Sequence, residues 1–395
     1  MFDYSYWGGS AIKTIQEKLC SIIDTAIRAQ RIIGSSIIVA KRGEIIFESH
    51  DGFADREAGI PVTGSTLFRL ASMTKPIVCA AAMALLERRF FQLNDPVTAW
   101  LPTFTPKLPN GEKTTITLHH LLTHTAGLDY GFLAPDNEPY YSAGVSDGMD
   151  DRVLSLKENL NRIAQVPLYF VPGSAWRYSI ATDVLGAVLE KVCERSLSEI
   201  VEQYITEPLG MCDTTFYVEK SDRLAQAYAD SDLLGGVARL MKPHDQVFLA
   251  GCGPIHYSPG RITNPKAYPS GGAGMAGTAK DYLKFLEAVR RGGASLLNEQ
   301  SVCLLTEDAV PHMVQPTADP GFGFSMGFAV LRDPKIAGRP QYAGSYEWGG
   351  VYGSKMFVDP VNELSVVILT NTALEGLMGK FPIDLMEAIY DAKYK

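Results

Sequence analysis

Apolar residues recur first at helical spacing and then in strand-like runs at the start of the chain. Residues 11–30 place one set of apolar side chains on a single helical face: Ile12, Ile15, Leu19, Ile22, Ile23 and Ala26. Two β-branched runs follow on either side of residues 41–43 (KRG), as in a β-hairpin. We therefore predict that the chain opens with a helix and two antiparallel strands.

The middle of the chain has helical patterns, and strand composition returns near its end. Helices are predicted over 76–90, 118–128, 151–165, 181–205 and 279–293. An irregular segment rich in Gly and Pro is predicted over 207–270. Strands are predicted over 324–331, 346–359 and 364–372, followed by a helical segment over 375–394.

Strands that follow one another through short turns indicate an antiparallel sheet. The strands cluster at both ends of the chain, and the helices lie between them. We predict an α+β fold in which residues 1–75 and 265–395 form an α/β domain, interrupted by a mainly helical domain over 76–264. The length of 395 residues also favours two domains.

Composition and charge narrow the range of functions. The chain is 46% hydrophobic and 20% charged, which is ordinary for a globular protein, and its net charge is −8. The negative charge argues against nucleic acid and anionic membranes as partners. No secretory signal and no apolar run of about 18 residues is evident, and the six cysteines are scattered. We expect a cytoplasmic protein with free thiols.

Two stretches carry signatures of a nucleophilic serine. Residues 144–148 read GVSDG, but no apolar strand precedes them, as the G-x-S-x-G turn requires. Ser146 is therefore interpreted as a surface-loop residue that caps the next helix. S-x-x-K occurs twice, at Ser10 to Lys13 and at Ser72 to Lys75, so spacing alone does not decide between the two. Ser10 is better explained as a helix cap.

The context of residues 68–76 (FRLASMTKP) favours chemistry at Ser72. Pro76 places the start of the following helix close to Ser72, because a helix tolerates proline in its first turn. The spacing i, i+3 puts Ser72 and Lys75 on one face, and the Ser72 N–H lies at the positive end of the helix dipole. A capped helix with a solvated lysine explains the same pattern equally well.

Other stretches, in order, resemble the serine β-lactamase and penicillin-recognising superfamily. They are SMTK, Tyr178-Ser179 within WRYSIATDVLGAVLEKV, and Trp348-Gly349-Gly350, with FRLASMTKP, LHHLLTHTAGL, PLGM and SGGAGM between and around them. The chain is most similar to the family VIII carboxylesterases, which share the class C β-lactamase fold. The resemblance implies a β-lactamase/transpeptidase-like fold, with an antiparallel sheet flanked by helices, an all-helical lobe and the active site between them.

Two departures from the lactamase pattern bear on the substrate. Ile180 stands where lactamases carry Asn, and Trp348 replaces the cation that holds a substrate carboxylate. Lys355 is predicted to lie too far along the strand to replace that cation, at roughly 23 Å for seven extended residues. The expected substrate is therefore a neutral, short-chain carboxylic ester. A β-lactamase or D,D-peptidase-like amidase is the alternative on the same scaffold, and a silent ligand-binding relative is the alternative of another class.

The resemblance assigns roles to individual residues. Ser72 would be the nucleophile, and Lys75 and Tyr178 the proton-transfer pair, with the formal base left open between them. We expect the backbone N–H groups of Ser72 and Val351 to form the oxyanion hole. Four further residues are expected to contact the substrate: Tyr130, Trp348, Gly349 and Gly350.

No cofactor or metal is predicted. His120 and His124 are spaced i, i+4, but the sequence shows neither an HExxH glutamate nor a third ligand. The sequence does not indicate the oligomeric state.

Overall fold

The computed structural model describes residues 9–134, 139–152, 154–219, 222–231, 236–249, 251–313 and 320–391, with side chains from residue 15 onward. Its helices are α1 (Gly9–Arg28), α2 (Thr74–Glu87), α3 (Leu118–Leu122), α4 (Leu156–Ile163), α5 (Ala181–Cys193), α6 (Leu197–Val201), α7 (Ala279–Arg290), α8 (Glu299–Thr306), α9 (Pro334–Ala337), α10 (Ala373–Met378) and α11 (Lys380–Asp391).

The strands begin with the opening hairpin, and the last five again form consecutive pairs. They are β1 (Gly34–Lys41), β2 (Glu44–Asp55), β3 (Ile60–Pro61), β4 (Phe68–Arg69), β5 (Tyr228–Ala229), β6 (Arg239–Leu240), β7 (Asp245–Phe248), β8 (Pro254–Tyr257), β9 (Ala276–Gly277), β10 (Phe322–Phe324), β11 (Ala329–Leu331), β12 (Tyr346–Gly350), β13 (Ser354–Asp359) and β14 (Leu364–Thr370).

The main sheet has eight antiparallel strands in the order β10-β11-β12-β13-β14-β1-β2-β3. The β1–β14 pairing, with Ile37 opposite Ile368, joins the two ends of the chain at the centre of the sheet. The main sheet thus contains strands from both ends of the chain, and the predicted β-lactamase/transpeptidase-like fold is confirmed.

Helices cover both faces of this sheet. Alternate side chains point to opposite faces, so that Ile37 and Val39 pack with α1 and α11, whereas Ile38 and Ala40 belong to the core on the α7 side. β1 and β14 are buried along nearly their whole length. Burial on both faces explains why these central strands read as continuous apolar runs.

The α7 side of the sheet shares one core with the central helices. Every residue of α2 from Thr74 to Leu85 is buried, and α2 packs against α5, α6 and α8. A helix that is apolar all round has no solvent face to present, so it lies inside the protein. The boundary between the two predicted domains, at residues 75 and 76, remains a prediction. It falls within α2, which packs against elements of both predicted domains.

Several predicted elements end earlier than their sequence patterns suggest. The helix at 118 ends at Leu122, and the helix at 181 ends at Cys193, where Glu194 adopts left-handed backbone angles. The strand predicted over 346–359 is the β12–β13 hairpin, and the segment 324–331 contains the end of β10 and all of β11. The segment 207–270, predicted to be irregular, contains the small β5–β6 and β7–β8 hairpins. Apolar periodicity continues through such turns because the residues on both sides face one core.

Among the described residues, none of the helices combines the length and the apolar character needed to cross a lipid bilayer.

Candidate active site

Ser72 lies in a tight turn that leads directly into α2. Residues Ala71–Met73 form a 3₁₀ turn, and α2 begins at Thr74, two residues before Pro76. Ala71 has a φ of +44°, in the left-handed region that residues with a Cβ seldom occupy. Hydrogen bonds on both sides hold this strained turn, from the Leu70 N–H to the Met275 carbonyl (2.9 Å) and from the Met73 N–H to the Leu70 carbonyl (3.0 Å).

Two predicted polar groups, those of Lys75 and Tyr178, converge on the Ser72 hydroxyl. Tyr178 Oη lies 2.6 Å from Ser72 Oγ, and Lys75 Nζ donates a hydrogen bond to Ser72 Oγ at 3.1 Å. The spacing of i, i+3 accounts for the lysine. The tyrosine comes from more than 100 residues downstream, where it precedes α5. The structure therefore brings the three residues together in one place.

Lys75 is enclosed by the groups that accept and surround its amine. Its Nζ donates to the carbonyl of Gly272 at 2.8 Å and lies 5.0 Å and 4.7 Å from the ring centres of Tyr130 and Tyr178. Burial lowers the pKa of Lys75 to about 7, although the Asp183 carboxylate acts in the opposite direction. Near neutral pH a substantial fraction of this amine is therefore unprotonated and able to accept a proton.

Tyr178 is held as a neutral phenol. Burial raises its pKa well above the usual value for tyrosine, and this effect outweighs the hydrogen bond with Ser72 that lowers it. Its chain segment is fixed on both sides, by the Arg177 N–H donating to the His124 carbonyl (3.0 Å) and the Ile180 N–H donating to the Asp129 carbonyl (3.3 Å). In this setting Tyr178 is better suited to donate a proton than to begin the reaction as a phenolate.

The end of β12 lies against the turn that carries Ser72. A Cβ at Gly350 would be 2.1 Å from the Leu70 carbonyl oxygen and 2.6 Å from Ser354 Oγ, and Ser354 Oγ itself donates to that carbonyl at 3.2 Å. A Cβ at Gly349 would instead meet Leu377, at 2.2 Å. At both positions the absence of a Cβ lets β12 pack directly against neighbouring protein atoms. A contact of either with substrate, and the oxyanion role of Val351 just beyond them, remain predictions.

Replacing Gly350 by alanine should therefore destabilise the protein. The added methyl group overlaps the backbone of Leu70, and overpacking of this kind costs about 1–3 kcal/mol of unfolding free energy. Chemical denaturation should show this loss of unfolding free energy. Gly260→Ala is the matched control, since a Cβ there meets no atom within 4 Å. Equal stability of the two variants would contradict the close packing of β12 on the Ser72 turn.

The two predicted aromatic substrate contacts occupy different positions. Trp348 is half-buried, and its ring lies edge-on to that of Tyr178, with 5.4 Å between the centres. Tyr130 is only 2% exposed and stacks on Phe132 at 5.0 Å. Trp348 is thus placed beside the reacting groups, whereas Tyr130 packs under Lys75. Substrate contact remains a prediction for both.

Sequence reasoning missed two buried acids near Lys75. Asp183 lies on α5 and is fully buried, and burial raises its pKa to about 6 although Ser270 and Lys75 lower it. Asp147, also buried, accepts a hydrogen bond from Tyr141 at 2.7 Å, and burial raises its pKa to about 7. The available signal for Asp183 was a carboxylate inside the otherwise apolar helix ATDVLGAVL, five residues after Tyr178.

The second serine signature has a structural role. Ser146 is fully buried and not on the surface; its hydroxyl donates to Asp150 Oδ1 at 3.0 Å and accepts from the Gly148 N–H at 3.2 Å. It does not cap α4 either, because Ser155 occupies that position and accepts from the Glu158 N–H. A loop that turns back on its own backbone needs such internal hydrogen bonds once it is buried.

The prediction that Lys355 lies too far along the strand from Trp348 was also wrong. The chain reverses after Gly350, so that Lys355 pairs directly opposite Gly349 and does not lie far along one strand. Its neighbour Met356 packs in the core on the Trp348 side, so Lys355 points to the other face, where its amine contacts Glu347 at 3.0 Å.

Two of the three histidines in the LHHLLTHT segment form side-chain hydrogen bonds within the protein. His120 Nδ1 accepts from the Thr117 N–H at 3.2 Å, and His124 Nδ1 lies 3.2 Å from Ser179 Oγ. His124 also packs against the Tyr178 ring, with 5.1 Å between ring centres. Within the described parts of the chain, no group of three or more His, Cys, Asp or Glu side chains is arranged to hold a metal ion.

Comparison with known proteins connects this site to a family. The family model described as "Beta-lactamase" matches residues 19–383. Esterase EstB of Burkholderia gladioli is 44% identical over 381 residues, which are 95% of each chain.

Solved structures give the same fold. EstCE1, described as a hydrolase with promiscuous acyltransferase activity, superimposes with a TM-score of 0.91 at 39% identity, covering 97% of this chain and 100% of its own. Unliganded simvastatin synthase LovD of Aspergillus terreus has a TM-score of 0.75 at 22% identity, over 96% of this chain and 98% of its own. The second similarity concerns the fold alone.

Proposed function

The chain belongs to the beta-lactamase family, and we propose that it is a carboxylesterase that forms an acyl-enzyme on Ser72. The observation that carries this proposal is the convergence of the Lys75 amine and the Tyr178 hydroxyl on Ser72 Oγ, at 3.1 Å and 2.6 Å. The 44% identity to an esterase supports the ester as substrate class. The similarity in sequence motifs further supports the proposal that the chain is a family VIII carboxylesterase.

Acylation begins with the neutral amine of Lys75. The amine takes the proton from Ser72, and Ser72 Oγ attacks the ester carbonyl carbon to give a tetrahedral oxyanion. The N–H groups of Ser72 and Val351 stabilise this oxyanion. When the bond to the alcohol oxygen breaks, Tyr178 donates its proton to the leaving alkoxide. The acyl-enzyme then stands beside a Lys75 ammonium and a Tyr178 phenolate.

Deacylation returns each proton to its origin. The Tyr178 phenolate takes a proton from water, and the resulting hydroxide attacks the acyl carbonyl carbon. When the bond to Ser72 Oγ breaks, the Lys75 ammonium protonates that oxygen. The carboxylic acid leaves, and the neutral amine, hydroxyl and phenol of the resting enzyme are restored. The opposite charges of the ammonium and the phenolate stabilise each other between the two steps.

The substrate is proposed to be a small neutral ester. Trp348 provides an aromatic face where related lactamases carry a cation, and Lys355 faces away and contacts Glu347. Steady-state kinetics on p-nitrophenyl butyrate and on a chromogenic cephalosporin test this choice. We expect kcat/KM to favour the ester by orders of magnitude. A preference for the lactam of that size would instead establish a β-lactamase.

The pH dependence follows from Lys75. The reaction needs the unprotonated amine, and the pKa of this amine is lowered to about 7 by burial, so kcat/KM should fall tenfold per pH unit below about 7 and level off above it. Asp183, Asp147, Cys79 and His124 surround the same amine and shape the curve. The measurement is kcat/KM for a neutral ester between pH 5 and 9. A flat profile in a folded enzyme would rule out Lys75 as the base.

A chemical probe distinguishes an active serine esterase from a catalytically silent, ligand-binding relative. A fluorophosphonate carrying a fluorophore labels activated serines, so the native protein should be labelled and Ser72→Ala should not. Absence of label on the native protein would favour the silent, ligand-binding alternative.

We further propose a cytoplasmic location and no nucleic-acid or membrane partner. The six cysteines are all free thiols, as is usual in a reducing compartment, and the net charge of −8 disfavours polyanionic partners.

A further inference from the structure

A small cavity lies next to the Lys75 pocket and shares a loop with it. The loop over 270–275 presents the Gly272 carbonyl to Lys75, whereas Ala273 and Gly274 of the same loop line the cavity. The cavity volume is about 30 Å³, which is room for a few atoms of solvent or ligand. Ser72, Lys75 and Tyr178 do not line it. Two arginine side chains do, those of Arg69 and Arg261.

Arg69 enters the cavity from the strand that precedes the Ser72 turn. Its Nε and Nη2 both donate to the carbonyl of Pro259, at 2.9 Å and 2.8 Å, and its Nη1 donates to the carbonyl of Ala225 at 2.5 Å. The guanidinium lies 5.8 Å from the ring centre of Tyr352. These contacts use three of its five N–H groups and are all with neutral partners. Burial lowers the pKa of Arg69.

Arg261 also lines the cavity. It is 7% exposed, and its Nη1 and Nη2 donate to the backbone carbonyls of Asp150 and Tyr268, each at 2.8 Å. The carboxylate of Asp150 is already paired with Arg152, at 2.7 Å. Asp183 is near enough for Arg261 to lower its pKa, but Ser270 and Lys75 act on the same carboxylate. Neither Arg69 nor Arg261 forms an ion pair with a carboxylate among the residues that the structure describes.

Arg261 is buried and Arg69 is half-buried, and neither guanidinium forms an ion pair with a carboxylate of the described residues, which is an unfavourable arrangement. Removing a cation from water is costly unless an opposite charge or enough hydrogen bonds replace the lost hydration. The remaining N–H groups of a guanidinium form a planar fork that matches the two oxygens of a carboxylate. We propose that this cavity binds a small carboxylate of the size of formate or acetate, held between Arg69 and Arg261.

The bound carboxylate would connect three separate segments around the active site. Arg69 leads into the Ser72 turn, Arg261 contacts the loop that carries Asp150, and Tyr352 follows the predicted oxyanion donor Val351. Joining them through one anion should stabilise the folded state without any part in the chemistry. The inference therefore does not depend on the proposed ester hydrolysis.

The test is a thermal unfolding titration of the full-length protein with sodium formate, sodium chloride or sodium sulfate at matched ionic strength. Binding to the folded state alone raises Tm in a saturable way, by about 2 °C at ten times Kd. We expect this saturable rise with formate for the native protein and for Arg28→Gln, whose exposed arginine is the matched control. We expect it to be lost in Arg261→Gln.

Arg261→Lys provides a second variant that keeps the charge but lacks the fork. The Tm of this variant should rise less with formate than that of the native protein. Separately, a crystal of the native protein soaked in formate should show the anion between Arg69 and Arg261. A formate response that is equal in Arg261→Gln and native protein, or that never saturates, would overturn the proposal. A saturable response to chloride as large as that to formate would overturn the assignment to a carboxylate.

Discussion

Replacing Ser72 by alanine should lower kcat for ester hydrolysis by about 10⁴-fold or more, as expected when a covalent nucleophile is removed. Ser72 Oγ is the atom on which Lys75 and Tyr178 converge, and no other serine has both contacts among the described residues. The alanine variant leaves the remaining groups in place, so its unfolding transition should stay near that of the native protein. Burst kinetics with p-nitrophenyl butyrate, followed by mass spectrometry of the acyl-enzyme, would measure the loss.

Ser146→Ala is the control that separates the two serine signatures. Ser146 bonds to Asp150 and Gly148 within a buried loop, so its removal should cost about 1–3 kcal/mol of unfolding free energy. Its kcat should stay within a few-fold of the native value at a temperature where the variant is folded. A folded Ser146→Ala protein without activity, beside an active Ser72→Ala protein, would reverse the assignment of the nucleophile.

Tyr178→Phe should lower kcat by about 10²–10⁴-fold, the usual contribution of a positioned acid or base. The phenyl ring keeps the packing against Tyr130, His124 and Trp348, with ring centres 5.0 to 5.4 Å apart, so the effect comes from the lost hydroxyl. Circular dichroism and the unfolding midpoint should show that the fold is unchanged.

The leaving group distinguishes proton donation from a structural role of Tyr178. A p-nitrophenolate leaves without protonation, whereas an alkoxide needs a proton, so acylation of the phenylalanine variant should be impaired far more with alkyl esters than with p-nitrophenyl esters. Single-turnover acylation rates for ethyl butyrate and p-nitrophenyl butyrate would give this comparison. Equal losses with the two esters would argue that Tyr178 only shapes the site.

Most helices and strands could be predicted from the sequence in their correct order. The residues at which they end could not. Apolar periodicity identified α1, α2, α5 and α7, because the side of a helix that faces the core is encoded locally. The apolar pattern continued across Glu194, where the helix ends, and across the turn after Gly350, where the chain reverses. It therefore marked neither of these boundaries. At both places the flanking residues pack into one core, so only backbone angles reveal the change of direction.

The sequence by itself determined that Ser72 and Lys75 lie on the same side of one helical turn, since residues three apart share a face. Only the tertiary structure decided that Tyr178 meets them, that the Gly272 carbonyl and Asp183 surround the amine, and that Lys75 is buried deeply enough for its pKa to fall to about 7. These features depend on the packing of segments 100 to 200 residues apart. Local periodicity has no information about such distances, because they are fixed by how the central helices close onto the sheet.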